Sequence, residues 1–234
     1  MNSQDILALV VVYGIIIVSL ALSIIAEKRQ WKFDYRKIVH IGVGNFIFVW
    51  WAFSEAWIME AFFAIPFTII LFLAMFPNNP IGRSKLGEIT RAQGNRTGLF
   101  LYAISIGILV FFCFGEHWLA ASIAVVAMTY GDGFGSIVGK KFGKHKTIHG
   151  KSLEGSFAVF GVTALVSMIV WWFYSFLVGN NFLTGVNVVA IMNPELVCLI
   201  AGLVAAVVET LAPGDIDNLA NPLLVAATVI LLGL

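Results

Sequence analysis

Along the chain, long apolar stretches alternate with short polar ones. Eight stretches are candidates to cross a bilayer as helices: 6–26, 37–53, 56–76, 98–115, 118–139, 155–178, 195–212 and 219–234. A hydrocarbon core asks for about 20 apolar helical residues, fewer where neighbouring protein shelters the segment. The pattern therefore predicts an all-α fold, a polytopic integral membrane bundle. The last two stretches are the least secure, because the second of them is short and runs to the end of the chain, so the count is seven or eight transmembrane helices. The length suits a single transmembrane catalytic domain over 1–234. The first run has no basic segment ahead of it and no small-residue cleavage site after it. It is read as a retained helix rather than a leader peptide.

Composition agrees with this reading. Of 234 residues, 60% are hydrophobic and 12% charged, against roughly a quarter charged in soluble domains. The mean hydropathy is +0.94. That much apolar surface exceeds what one soluble core buries, so lipid is the expected solvent. Cys113 and Cys198 lie inside apolar runs, with no metal-ligand spacing, and read as packing residues.

Charge placement is more informative than the net charge of +1. Lys28, Arg29, Lys32, Arg36 and Lys37 follow the first stretch. Arg83, Lys85, Arg91 and Arg96 follow the third, and Lys140, Lys141, Lys144, Lys146 and Lys151 follow the fifth. Together these are all 14 Lys and Arg residues of the protein. By the positive-inside rule the three segments face the cytoplasm. With eight spans, both termini lie outside, and the 213–218 segment with Asp215 and Asp217 joins the cytoplasmic side.

Chemistry concentrates in one stretch, Tyr130 to Gly155. Asp132 stands between Gly131 and Gly133 at the inner end of a span. An ionisable group at membrane depth is costly, which marks it as a functional candidate, with a polar helix–helix contact as the alternative. Five lysines then follow on backbone bent by Gly139, Gly143 and Gly150. Ammonium groups and exposed N–H groups on such a loop suit a polyphosphate, although lysine-rich anchor loops are also common on this side. The stretch is not a Walker A loop. His145-x4-Gly150-Lys151-Ser152 lacks the first glycine, and no strand precedes it.

The order of residues resembles that of the membrane polyprenol and lipid kinases, a family including dolichol kinase, phytol kinase and the CTP-dependent diacylglycerol kinase. The matching elements are Gly131-Asp132, then Gly139-Lys140-Lys141-Phe142-Gly143-Lys144, then Lys151-Ser152-Leu153-Glu154-Gly155. Val208-Glu209, Asp217-Asn218-Leu219 and Pro222-Leu223 form a second group, and Arg36-Lys37-x-x-His40 a weaker third. CDP-diacylglycerol synthases share something like the first group. Their C-terminal run contains His-Gly-Gly and Asp-Arg, where this chain has Pro213-Gly214-Asp215-Ile216-Asp217-Asn218. That departure favours a kinase over a cytidylyltransferase.

The resemblance implies a kinase that phosphorylates the hydroxyl of a membrane lipid alcohol, of the polyprenol, dolichol, phytol or diacylglycerol type. CTP would be the donor and Mg²⁺ the cofactor. Phosphoryl transfer calls for positioning and charge neutralisation, which sets the expected roles. Asp132, Glu209 and Asp217 are the expected metal ligands. Lys140, Lys141, Gly143, Lys144, Lys146, Lys151, Ser152 and Asn218 are expected at the nucleotide. Asp132, Lys151, Glu154 and His40 are the candidate catalytic residues, and Arg36, Lys37 and His40 the candidates for the lipid substrate. Helix capping also accounts for Ser152, an Asx turn for Asp217 and Asn218, and snorkelling for the lysines. Glu60, within the third stretch, has no partner that sequence can name.

The partners expected are a lipid alcohol, a nucleoside triphosphate and the bilayer, with no nucleic acid; a homo-oligomer is compatible. The expected location is a prokaryotic cell membrane with the active site facing the cytoplasm. The competing classes are a CDP-diacylglycerol-synthase-like cytidylyltransferase and a membrane transporter. Transporters place polar groups at the midplane, often within inverted repeats. Neither feature is evident in this sequence.

Overall fold

A computed structural model describes residues 1–31, 35–91 and 96–234, apart from the Arg36 side chain. Lys32, one of the cationic residues used above, lies outside the described residues. The described chain is helical, and among these residues the β structure is one isolated bridge, Lys146 with Ser152. This agrees with the all-α prediction. Among the described residues, five helices are long and apolar enough to cross a membrane: Ser3–Lys28, Ala56–Ala74, Trp118–Phe142, Leu153–Gly179 and Pro194–Leu211. The segments Lys37–Ala52 and Gly98–Cys113 are shorter and also apolar. The chain forms two compact units, Met1–Phe111 and Phe112–Leu234.

In the first unit, α1 (Ser3–Lys28) opens on a capping box. The Asn2 side chain accepts from Asp5 N at 2.8 Å, and Asn2 N donates to Asp5 Oδ2 at 2.6 Å. The same carboxylate accepts from Ser54 N and Oγ, which fastens the start of α1 to the loop before α3. α2 (Tyr35–Gly44) packs against α1 where Gly42 has no side chain. A Cβ there would lie 2.3 Å from Ser19 Oγ.

The second predicted span, 37–53, was expected as one helix, but its α-helical part ends at Gly44. The 3₁₀ turns Asn45–Phe48 and Trp50–Ala52 follow. Asn45 Nδ2 donates to the Ile41 and Gly42 carbonyls, a local side-chain bond of the kind that competes with regular structure.

α3 (Ala56–Met59) runs through a π turn, Glu60–Ala64, into α4 (Ile65–Ala74). Pro66 has no N–H to offer the Phe62 carbonyl four residues earlier. The Tyr13 hydroxyl of α1 donates to that carbonyl instead, at 2.6 Å. Glu60 Oε1 is buried without a partner, beside an open hollow that Thr68 and Gly107 also line. Two short helices, α5 (Pro80–Arg83) and α6 (Lys85–Thr90), follow α4. Arg91 caps the end of α4, donating to the Ala74 carbonyl at 2.6 Å and to Gly82 O at 2.8 Å. α7 (Gly98–Cys113) crosses the boundary between the units. Between α1, α2, α4 and α7, an apolar groove is lined by Ile16, Val43, Phe67, Leu71 and Tyr102, with His40 among its walls.

The second unit is built on α8 (Trp118–Val126), every residue of which is buried. A helix apolar on all sides belongs at the centre of a bundle. Its polar Ser122 is satisfied by the Trp118 carbonyl at 2.8 Å and the Tyr174 hydroxyl at 3.0 Å. α8 passes through a π turn, Ala127–Gly131, into α9 (Asp132–Phe142). α10 (Leu153–Gly179), α11 (Pro194–Leu211) and α12 (Asp217–Leu231) complete the unit. Small residues set the spacing: a Cβ on Gly131 would lie 2.3 Å from Thr163 Oγ1, and one on Gly202 2.6 Å from the Phe160 carbonyl.

Candidate functional site

Three acidic side chains from three helices converge in the second unit. Asp132 opens α9 directly after the π turn, Glu209 sits near the end of α11, and Asp217 opens α12. Gly214 (φ 59°) lets the chain turn between the last two, and a helix N-terminus favours a carboxylate such as Asp217. The three residues are 7%, 9% and 8% exposed. One oxygen from each lies within 4.8 Å of the other two. Asn218 Nδ2 donates to Asp217 Oδ1 at 2.9 Å and to the Asp215 carbonyl at 3.2 Å, which orients the Asp217 carboxylate.

Lys151 enters this cluster from the loop ahead of α10. Its Nζ donates to Glu209 Oε1 at 2.8 Å, to Asp217 Oδ2 at 2.9 Å and to the Glu209 backbone carbonyl. Burial alone would lower the Lys151 pKa. The Glu209 and Asp217 carboxylates outweigh it and hold the ammonium above its ordinary value. The Lys151 ammonium offsets part of the mutual repulsion of the three carboxylates. In addition, Glu209 Oε2 is buried with no hydrogen-bond partner. An orphaned carboxylate oxygen inside a buried cluster of three acidic groups fits a divalent cation with hard oxygen ligands, as Mg²⁺ prefers.

The glycine-rich loop is a compact turn. A Cβ on Gly143 would lie 2.2 Å from the Gly139 carbonyl and 2.6 Å from Ser152 Oγ, so bare backbone is needed where the loop folds onto the start of α10. Thr147 N donates to Lys151 O, and Leu153 N to His145 O, each at 2.9 Å. His149 (φ 55°) and Gly150 (φ 75°) turn the chain through left-handed backbone. Ser152 Oγ caps α10, accepting from Gly155 N at 3.2 Å. Lys140, Lys141, Lys144 and Lys146 are exposed, and Lys141 Nζ stands 5.1 Å from the Phe142 ring centre. Glu154 is engaged by His145, whose Nδ1 lies 2.7 Å from Glu154 Oε1.

The structure thus brings together Asp132, Lys151, Glu209, Asp217 and Asn218, and sets the other loop lysines on the surface of the same unit. Lys37 and His40 are buried in the first unit, where the His40 ring packs on Tyr102 with centroids 4.5 Å apart. Sequence reasoning missed the double ion pair of Lys151, which had been assigned to phosphate. Its partners lie 58 and 66 residues away, a separation at which nothing local signals a contact. The His145–Glu154 pair was missed as well, although a histidine nine residues before a helix-opening glutamate was there to be noticed.

No family model matches the sequence, and no solved structure matches it. Over 201 residues, 80% of the chain, it is 32% identical to the phytol kinase of Synechocystis sp., covering 74% of that protein. Over 203 residues, again 80% of the chain, it is 30% identical to the chloroplastic phytol kinase 1 of Arabidopsis thaliana. There it spans 62% of the relative's length.

Proposed function

The chain belongs to the family of membrane polyprenol and phytol kinases, and from that premise we propose that it phosphorylates a long-chain prenyl alcohol of the phytol type. The donor is a nucleoside triphosphate, CTP by resemblance, and the reaction takes place at the cytoplasmic face of a prokaryotic cell membrane. The convergence of Asp132, Glu209 and Asp217 around Lys151 is the observation that carries this reading. With a divalent cation held there, it would offer charge compensation for a polyphosphate at the end of three apolar helices, where a water-soluble donor and a lipid acceptor can both arrive.

In this reading Asp132, Glu209 and Asp217 hold Mg²⁺, which when bound offsets phosphate charge. Asn218 keeps Asp217 in its rotamer and faces the nucleotide. Lys140, Lys141, Lys144 and Lys146 gather the phosphates on the open side of the glycine-bent loop, and the Gly143 backbone lets them approach closely. Lys151 and the Ser152 cap hold the loop against the carboxylates, and Glu154 secures its far end through His145. The alcohol oxygen forms the new bond to the γ-phosphorus as the bond to the β,γ-bridging oxygen breaks. The nucleoside diphosphate leaves, and the hydroxyl proton passes to a carboxylate, for which Asp132 is the assigned group. In the first unit, Arg36, Lys37 and His40 are assigned to the lipid substrate, because His40 lines an apolar groove suited to a prenyl chain.

The deciding experiment incubates purified protein in lipid nanodiscs with γ-labelled CTP or ATP and with phytol, geranylgeraniol, dolichol and diacylglycerol in turn. Label in a prenyl monophosphate is expected. Label in no alcohol, or a lipid labelled from cytidine-labelled CTP but never from the γ-labelled donor, would overturn the proposal.

A further inference from the structure

Asn221 is 1% exposed, and neither its amide nitrogen nor its carbonyl oxygen has a partner. An asparagine shut away from water with both polar groups idle is costly, so native structures rarely keep one without a use for it. Its position on α12 supplies the use. Asn221 follows Asp217 by four residues and Asn218 by three, so all three lie on one face of the helix. That face is the buried one, turned toward α8, α11 and the π turn that leads into Asp132. The helix starts at the carboxylate cluster and runs on into apolar sequence, which puts Asn221 about one turn (~6 Å) further from the polar loop than Asp217. The next residue, Pro222, has no N–H, so the helical ladder supplies no donor to the Asn218 carbonyl on this side either.

The chemistry of the unpaired groups narrows the occupant. A phosphate offers acceptors only, and a cation asks for oxygen donors only. A primary amide pairs fully with a group that both donates and accepts, as an alcohol hydroxyl does. A lipid alcohol keeps its tail among apolar side chains and presents its hydroxyl toward the carboxylates, so it would pass this position last. Resting on the kinase reading above, we propose that Asn221 is the acceptor-hydroxyl subsite. Its amide holds the oxygen of the prenyl alcohol one helical turn below Asp217, aimed at the donor phosphate. The inference also assigns specificity: the site selects a terminal primary alcohol and rejects the corresponding hydrocarbon or methyl ether, which leaves part of the amide unpaired.

Asn221→Leu keeps the volume of the side chain and removes both polar groups. Three readouts on this variant in nanodiscs test the proposal. Thermal stability is expected to equal or exceed that of the parent, because two unpaired groups are gone. Binding of Mg²⁺–CTP is expected to be unchanged. The kcat/KM for the alcohol is expected to fall about tenfold to a hundredfold. A prenyl alcohol carrying a photoreactive diazirine beside the hydroxyl carbon is expected to label the 217–225 segment of the parent and not that of Asn221→Leu. A marked loss of thermal stability in the variant would make Asn221 a structural contact and overturn the subsite, as would kcat/KM within about twofold of the parent. Photolabelling of the parent without any phosphoryl transfer would overturn the kinase reading while leaving the subsite standing, so the two failures are distinguishable.

Discussion

Lys151 Nζ donates to Asp217 Oδ2 at 2.9 Å, joining the loop before α10 to the first residue of α12 across 66 positions. The ammonium tempers the mutual repulsion of the carboxylates. Lys151→Met is therefore expected to destabilise the protein by about 3 kcal/mol, the cost of leaving largely buried carboxylates without their partner. Phosphoryl transfer should fall by about a hundredfold or more. MgCl₂ should restore part of the lost thermal stability, since the ion supplies charge that the lysine no longer does. Melting curves with and without MgCl₂ check this. Indifference to the ion in both variant and parent would remove the carboxylates from any metal site.

The contact of Gly131 with Thr163 sets how closely α10 approaches the π turn before Asp132. Gly131→Ala places a methyl group 2.3 Å from Thr163 Oγ1, and overpacking of this kind costs about 1–3 kcal/mol. Thr163 Oγ1 is itself buried without a partner. Thr163→Ala should therefore be close to neutral alone and should rescue most of the loss in the double variant. Chemical denaturation of the four proteins measures the coupling directly, and strictly additive effects would refute the contact as its cause.

Lys85 lies 2.7 Å from Glu27 Oε1 and 2.8 Å from Glu88 Oε2. Its hydrogen bond to Glu27, and then that to Glu88, raise the Lys85 pKa above the ordinary 10.5. The bond to Lys85 lowers that of Glu88 below 4.5. A raised lysine pKa contributes stability that is complete below pH 10.5 and is lost as pH climbs through the folded value. A lowered glutamate pKa contributes stability that is complete above pH 4.5 and is lost as pH falls through the folded value. Exposure keeps both contributions small and sensitive to salt. The melting temperature of Lys85→Gln should lie slightly below that of the parent through the neutral range, with the gap closing in acid and again in strong alkali. A gap independent of both pH and salt would rule out an ionic origin.

The Tyr13 hydroxyl does for Phe62 what the nitrogen of Pro66 cannot. Tyr13→Phe is expected to cost about 1 kcal/mol, because the Phe62 carbonyl then has neither donor. Pro66→Ala returns an N–H to the backbone, so the same tyrosine change should cost less in that background. Unfolding in detergent compares the two costs, and equal costs would show that the hydroxyl is not replacing the proline.

Much of the architecture was legible because hydrophobic blocks and caps are local signals. The start of α10 at Ser152 and the long helices of the second unit follow from a capping serine and unbroken apolar runs. The interruption after Gly44 was not visible, because it depends on Asn45 choosing the Ile41 and Gly42 carbonyls over continuation of the helix. Nor were the π turns at Glu60 and Ala127, which apolar periodicity does not encode. At the site, residue order and likeness to a family singled out Asp132, Glu209 and Asp217. What Lys151 does among them depends on tertiary contacts alone. Asn221 was overlooked, although one amide in an apolar helix, a turn beyond Asp217, was a signal within reach.

The bond between Tyr13 and Phe62 also orders events during biosynthesis. A carbonyl carried into hydrocarbon with no water to meet it needs its donor already in place. That donor belongs to a segment that leaves the ribosome earlier, 49 residues ahead of the carbonyl it serves. The proline-containing segment therefore enters lipid beside a neighbour that has arrived before it, and a chain deprived of α1 would lack the partner that makes the later segment comfortable there.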